Sequence, residues 1–344
     1  MKPISLIKKN RNVILLFIFT GVVLFLTLKD GFFVVAEEIL NLNLYWILVG
    51  LVFMLGFTVF RALGTKILIN QKYPKFKFIS TFLMLLSSQF FNAITPYAVG
   101  GHPVSVRIMH KEKIDISDGT NYTIQMFLVY QISLVILQVI SIILILSFNL
   151  YSNNVLINIL AFAGLVLDIA IVIILFVLSS AKKLNILIVS FIIKMLAKLH
   201  FIKNKDEMLT KWEKNLNEFH ANAQELMKDK KKFVMAVVYH LIALIGLYLV
   251  PLFVLYATGD YNSFDAIKCV VTVAWIVMIG DLFPTPGGVG GVEYGFTVLF
   301  GAYVAGPILV VIMLVWRFMT YYLNIILGSI AFNILEWKAE EYKN

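Results

Sequence analysis

Charged side chains make up only 14% of this 344-residue chain, well under the ~25% of a water-soluble domain. That shortage excludes a soluble globular protein. A single cysteine, Cys269, sits in an apolar run and leaves no disulfide framework, CxxC metal pair or thiol redox couple. Five histidines are scattered without HExxH spacing, and no GxxxxGK loop is present, so neither a metal centre, a nucleotide site nor a cofactor is implied. Proline is sparse as well, eight in all, which makes its placement informative. What fills the chain instead is apolar: 60% hydrophobic residues and a mean hydropathy of +0.88 describe a polytopic membrane protein.

A run of about 20 apolar residues spans the hydrocarbon core. Such runs fall at 12–28, 44–65, 78–94, 120–148, 154–178, 233–257, 264–283 and 307–334, while 292–304 is too short to cross. The first run follows Lys2, Lys8, Lys9 and Arg11 as a secretory signal would, but no small-residue cleavage site precedes Lys29 and Asp30, so an uncleaved helix is expected. The fold class is therefore all-α, with about eight long hydrophobic helices.

Charge sets the threading. Residues 180–232 carry 12 of the 29 Lys and Arg, whereas 149–153, 257–263 and 305–306 carry none, which assigns 180–232 to the cytoplasm. The N-terminus, the 66–77 loop and the C-terminal tail belong on the same side. If every run crossed fully the count would fail, because five crossings from an inside start would leave 180–232 outside. One segment must enter and turn back, and 78–106 is the candidate. With that correction 25 of 29 basic residues are cytoplasmic, the exceptions being Lys29, Arg61, Lys268 and Arg317.

The turning point has a signature. The heptapeptide TPxxVGG occurs at Thr95 to Gly101 and again at Thr285 to Gly291, and the two copies enter from opposite faces. That is the pattern of an inverted repeat whose re-entrant elements meet near the bilayer midplane. A residue before proline is driven out of the α region, so Thr95 and Thr285 should end their helices and Pro96 and Pro286 should open the next turn. Gly100, Gly101, Gly287, Gly288, Gly290 and Gly291 permit positive φ and close approach, and half-helices starting there would offer free amides to a phosphate. Pro and Gly also merely kink membrane helices; two matching copies threaded oppositely favour the repeat. The expected organisation is an N-terminal half, 1–180, an interfacial segment, 181–232, and a C-terminal half, 233–344.

The stretches FFNAITPYAVGGHPVSVRIM, Phe90 to Met109 with Gln89 before it, and DLFPTPGGVGGVEYGF, Asp281 to Phe296, resemble the paired signatures of the membrane domain of bacterial lysylphosphatidylglycerol synthases, the multiple peptide resistance factors. The resemblance implies a lipid flippase that moves an aminoacylated or otherwise modified phospholipid from the inner to the outer leaflet of a bacterial plasma membrane, with both termini cytoplasmic. It also implies a stand-alone member: full-length synthases carry an aminoacyl-transferase domain after the membrane domain, and this chain ends ten residues after its last run. The expected partners are membrane phospholipids and a separate lipid-modifying enzyme.

Intramembrane ionisable residues are expensive and mark function by default. Asp281 and Glu293 flank the second break and together could receive the ammonium of a lysyl headgroup, whereas Asp168, mid-helix in GLVLDIAIVI, is a candidate for coupling. Arg317 and Arg107 suit a lipid phosphate, because a guanidinium matches its planar fork; packing pairs between these carboxylates and Arg317 are the plainer reading. Gln89 and Asn92 lie within two turns of Thr95, and His102 adjoins the first break and can donate to phosphate. Gln131, Gln138 and Ser141 share one helix face, where polar side chains commonly stitch helices together.

In 203–232, Leu209, Trp212, Leu216, Phe219, Ala223 and Leu226 recur at helical spacing, which predicts an amphipathic helix on the inner membrane surface. Topology accounts for the net charge of +9, so no nucleic-acid partner is expected. Besides a flippase, two classes stay open: a membrane-embedded transferase acting on a lipid-linked substrate, and a small-solute secondary transporter sharing the inverted-repeat logic.

Overall fold

The computed structural model describes residues 32–148, 154–180, 190 and 229–341. The expected first helix at 12–28 and the amphipathic segment 203–228 lie outside the described residues. Within them the chain is built from helices: α1 (Phe32–Leu40), α2 (Leu44–Ile69), α3 (Phe78–Ala93), α4 (Gly101–Lys111), α5 (Ile116–Ser147), α6 (Val155–Ser180), α7 (Lys230–Tyr248), α8 (Val250–Ala257), α9 (Ala266–Asp281), α10 (Gly291–Phe300), α11 (Gly306–Arg317) and α12 (Leu323–Glu341). Five stretches are long and apolar enough to cross a membrane: Leu44–Ile69, Ile116–Ser147, Val155–Val177, Lys230–Ala257 and Gly306–Trp337. Exposed Leu48, Val52, Ile140, Ile143, Ile173, Val238 and Ile242 form the apolar outer surface such a bundle presents to lipid.

Two predicted continuous runs are interrupted. Helices α7 and α8 divide at Leu249, where Pro251 falls in the first turn of α8 and cannot donate to the ladder. Between α11 and α12 a π-turn, Phe318–Tyr322, widens the helix by one residue directly after Arg317.

The first hairpin is α3 and α4, the second α9 and α10, each joined by a single tight turn and packed arm against arm. Both α3 and α9 are 16 residues long, about 24 Å at 1.5 Å per residue, short of the ~30 Å hydrocarbon core. The first hairpin is zipped by Ser88 Oγ and Ser105 Oγ at 2.6 Å and by Ser80 donating to Glu112 at 3.0 Å. In the second, a Cβ on Gly280 would run into Val292, so the arms close through missing side chains. Each hairpin has its own core: Leu68, Phe76, Met84, Met109 and Tyr122 hold the first. A ladder of rings, Phe264 on Phe300 on Phe296 on Trp316 with centroids 4.5, 4.2 and 5.1 Å apart, holds the second.

The hairpins pack reciprocally. Helix α2 packs along α7, α3 lies against α12, and α9 lies against α5 and α6. Each hairpin thus rests on the helices that follow the other.

Candidate functional site where two helix breaks meet

The two TPxxVGG turns touch each other, and their backbones match. Thr95 and Thr285 are extended (φ −122°, ψ 143° and φ −92°, ψ 150°), as a residue before proline must be. The third and fourth motif positions are left-handed in both copies: Tyr97 and Ala98 at φ 53° and 52°, Gly287 and Gly288 at 66° and 62°. The second copy meets that demand with glycine, and the first bears it as strain of about 1–2 kcal/mol per residue.

The glycines that follow serve a purpose other than the expected one in the first copy. Gly100 is right-handed, with φ −67°; a Cβ there would press on Thr95 and the Phe91 carbonyl, and one on Gly101 would strike the Ser88 carbonyl and Asn92. Close approach, not positive φ, requires them. Only in the second copy does Gly290 use the left-handed side, at φ 96°.

The expectation of free amides at the half-helix starts is corrected. Gly100 N–H donates to Thr95 Oγ1 at 2.9 Å and Gly101 N–H to Asn92 Oδ1 at 2.7 Å. In the second copy Gly290 N–H donates to Glu293 Oε2 at 2.6 Å, and Thr285 Oγ1 donates to the Val289 carbonyl at 2.7 Å. Helix-start amides not satisfied by the backbone recruit side-chain acceptors, and these motifs carry their own.

One guanidinium joins the two breaks. Arg317 Nε donates to Glu293 Oε1 at 2.7 Å, its Nη2 lies 2.6 Å from the same oxygen, and Nη2 also donates to the Gly287 carbonyl at 3.1 Å. The Arg317 guanidinium stands 5.1 Å from the centre of the Tyr321 ring, a cation–π contact. Tyr321 Oη donates to the Ala93 carbonyl at the end of α3, at 2.8 Å. Gly287 lies flat on the Tyr321 ring, with no room for a Cβ. The connected path Ala93, Tyr321, Arg317, Glu293, Gly290 therefore runs from the first break to the second. Around it, Pro96 to Val99 are exposed.

Of the expected site residues, Asn92, Thr95, Pro96, Gly100, Gly101, Thr285, Pro286, Gly290, Gly291, Glu293 and Arg317 gather at this junction. The others are elsewhere. Asp281 does not share a ligand position with Glu293: it contacts the buried Asp168, whose two oxygens accept from Gln131 at 2.8 Å and Gln138 at 2.7 Å. The joint ammonium site expected of Asp281 and Glu293 is thereby corrected, since each carboxylate has a different neighbour. Arg107 is near the far end of α4, 2.9 Å from Glu336, which Lys111 also reaches at 2.6 Å; it is a surface clamp and not part of the junction. Gln89 donates to Thr58 at 3.2 Å. His102 lines an apolar cavity of about 340 Å³ between α4 and α5 with Pro103, Val106 and Phe127.

Two residues escaped the sequence reading. Tyr321 was findable as the residue one turn beyond Arg317 on the same helix. Arg61 meets the same intramembrane rule that singles out Arg317. Its guanidinium is 5.0 Å from the Phe57 ring centre and 4.8 Å from that of Tyr130, its Nε lacks a hydrogen bond, and no carboxylate is within ion-pair distance of it among the described residues.

Comparison with known proteins agrees with the architecture. A UPF0104 membrane protein of Archaeoglobus fulgidus is 25% identical over 328 residues, covering 87% of this chain and 90% of that protein. The family model described as the lysylphosphatidylglycerol synthase TM region matches residues 12–328, a span that takes in both hairpins, their breaks and Arg317. A multi-pass helical protein with this pair of interlocked hairpins, matched over nearly its whole length, belongs to the lysylphosphatidylglycerol synthase transmembrane-region family.

Proposed function

We propose that this chain is a flippase that passes a phospholipid headgroup between the leaflets at the junction of the two breaks, its acyl chains remaining outside along the apolar girdle. The observation that carries this reading is the Ala93–Tyr321–Arg317–Glu293–Gly290 path, which ties both breaks to one guanidinium. Irregular backbone at membrane depth is tolerated where it lines a wet cavity, and in this reading the exposed Pro96 to Val99 turn faces the headgroup and its water. A headgroup phosphate is a bidentate match for Arg317 and competes with Glu293 for it. Glu293, once released, becomes the carboxylate that meets an aminoacyl ammonium. Arg61 is a second cation available to phosphate. The family description names a lipid with such a headgroup, and a separate enzyme would make it. Both termini face the cytoplasm of a bacterial cell in this reading.

The test is movement of fluorescent phosphatidylglycerol and of lysyl-phosphatidylglycerol in proteoliposomes. Arg317→Gln should slow both lipids by about tenfold or more, as expected for one lost charge-assisted contact of ~1.4 kcal/mol or more. Glu293→Gln should slow the lysyl lipid more than the anionic one. Wild-type rates in Arg317→Gln, or transport of a soluble solute with no lipid movement by wild type, would sink the proposal.

A further inference from the structure

Asp168 and Asp281 lie outside the headgroup path, where α6 crosses α9. Helix α6 crosses α9 so closely that a Cβ on Gly164 would collide with the Met278 carbonyl. Asp168 is one turn beyond Gly164, and Asp281 is nearly one turn beyond Met278, so the crossing brings their side chains together. The two carboxyls are thus near enough to interact directly. Asp168 is 2% exposed and both its oxygens already accept amide protons, from Gln131 and Gln138.

Two carboxyls packed together favour sharing one proton over carrying two like charges. Two ionised carboxylates are acceptors only and cannot bond to each other. Asp168, surrounded by donors, is the acceptor, and Asp281 therefore supplies the hydrogen. The same donors disfavour a metal cation, because the amide N–H groups point their positive ends at the oxygens a cation would need. Among the described residues, three buried polar atoms of this region have no hydrogen-bond partner: Asp281 Oδ2 in the pair itself, Oε1 of the Gln138 that donates to Asp168, and the hydroxyl of Tyr248, a residue only 2% exposed. Tyr248 and Tyr130 are both within electrostatic reach of the two carboxyls. An unpartnered hydroxyl and two unpartnered acceptors in one buried region supply the parts of a relay.

We propose that Asp168 and Asp281 form a proton-carrying site that couples headgroup movement to a proton gradient, an inference that rests on the flippase reading above. Asp281 is the last residue of α9 and stands directly before the second break. When its O–H bond breaks and the proton leaves to water on one side, two like charges remain in contact and must part. The end of α9 and the break it carries move away from α6. Reprotonation from water on the other side restores the contact, so one proton is taken up and one released per cycle. The other ionisable groups facing this region are Arg61 on α2, Tyr130 on α5, and His240 on α7, whose Nδ1 is 2.9 Å from the Ala236 carbonyl and whose ring is 6.4 Å from that of Tyr130. Cys269 on α9 donates to the Tyr248 carbonyl at 3.3 Å.

The experiment uses the full chain in proteoliposomes with trapped pyranine for protons and fluorescent phosphatidylglycerol for lipid. An imposed gradient of one pH unit should change the wild-type lipid rate by up to about tenfold, the span over which an exchanging group's occupancy can shift. In Asp281→Asn and Asp168→Asn the ratio of rates with and without the gradient should fall to one, and Asp281→Glu should restore a response. Infrared spectroscopy of the same proteins gives a readout independent of transport: wild type should show a protonated-carboxyl band at neutral pH that Asp281→Asn removes. A wild-type lipid rate indifferent to the gradient, a response surviving in Asp281→Asn, dependence on Na+ in place of protons, or absence of the carboxyl band would each overturn the coupling site. If wild type moves no lipid, the flippase reading falls by itself. The band together with proton flux lost in Asp281→Asn then upholds the proton site, and absence of either overturns it.

Discussion

Glu293→Gln tests the junction most sharply, because it keeps the shape of the side chain and removes its charge. The glutamine oxygen can still accept from Arg317 Nε, but its NH2 cannot accept from Gly290 N–H. Replacing a charge-assisted bond by a neutral one costs about 1 kcal/mol, and orphaning the Gly290 amide about 1–2 kcal/mol. Arg317 is also left without its counter-charge. The side chains are 11% and 15% exposed, so the ~3–5 kcal/mol for breaking a fully buried pair must be discounted, and about 3 kcal/mol is expected for the single variant. Arg317→Gln strands Glu293 in the same way and should cost a similar amount. The double variant leaves two neutral amides facing each other, so its loss should be about 3–4 kcal/mol and not the ~6 of simple addition, a coupling of ~2–3 kcal/mol. Reversible unfolding by SDS in bicelles measures all three. Additivity to within ~0.5 kcal/mol would show that the pair joining the breaks contributes no interaction energy of its own.

The matched breaks predict opposite responses to small substitutions. Ala98→Gly should raise stability by about 1 kcal/mol by releasing left-handed strain, whereas Gly287→Ala should lower it by more than that, because it adds both the strain and a collision with Tyr321; equal effects in a thermal-shift series would refute the shared geometry. Outside the spans, burial, and then the hydrogen bond to Asp118, push the Tyr73 hydroxyl up to about 12 from its ordinary 10. A raised folded value means the stabilisation is complete below pH ~10 and fades as pH climbs toward 12, so an alkaline loss of stability over that window should be reduced in Tyr73→Phe.

Much of the fold was legible because a bilayer imposes a length on apolar runs: every predicted run that falls within the described residues is helical. The breaks were legible because they are duplicated and because proline and glycine act locally. What could not be read is pairing. Asp168 and Asp281 lie on separate helices whose crossing is set by Gly164 and the Met278 backbone, and no spacing rule connects residues so far apart in the chain. The amides of Gly100, Gly101 and Gly290 were expected to be open. Asn92, Thr95 and Glu293 were themselves singled out, yet as ligand groups, when their nearest obligation was to those amides. The divisions at Leu249 and at the π-turn were hidden because apolar composition continues across them unchanged.

The pairing of Glu293 with Arg317 has an electrical consequence. A membrane potential does work of about 2.3 kcal/mol on each elementary charge moved through 100 mV, but a carboxylate and a guanidinium 2.6 Å apart sum to zero. Any displacement that keeps that pair intact moves almost none of its charge through the field, so voltage acts on it only weakly. Drawing the two apart would give the field a handle on this pair, separate from any it has on a proton at Asp168 and Asp281.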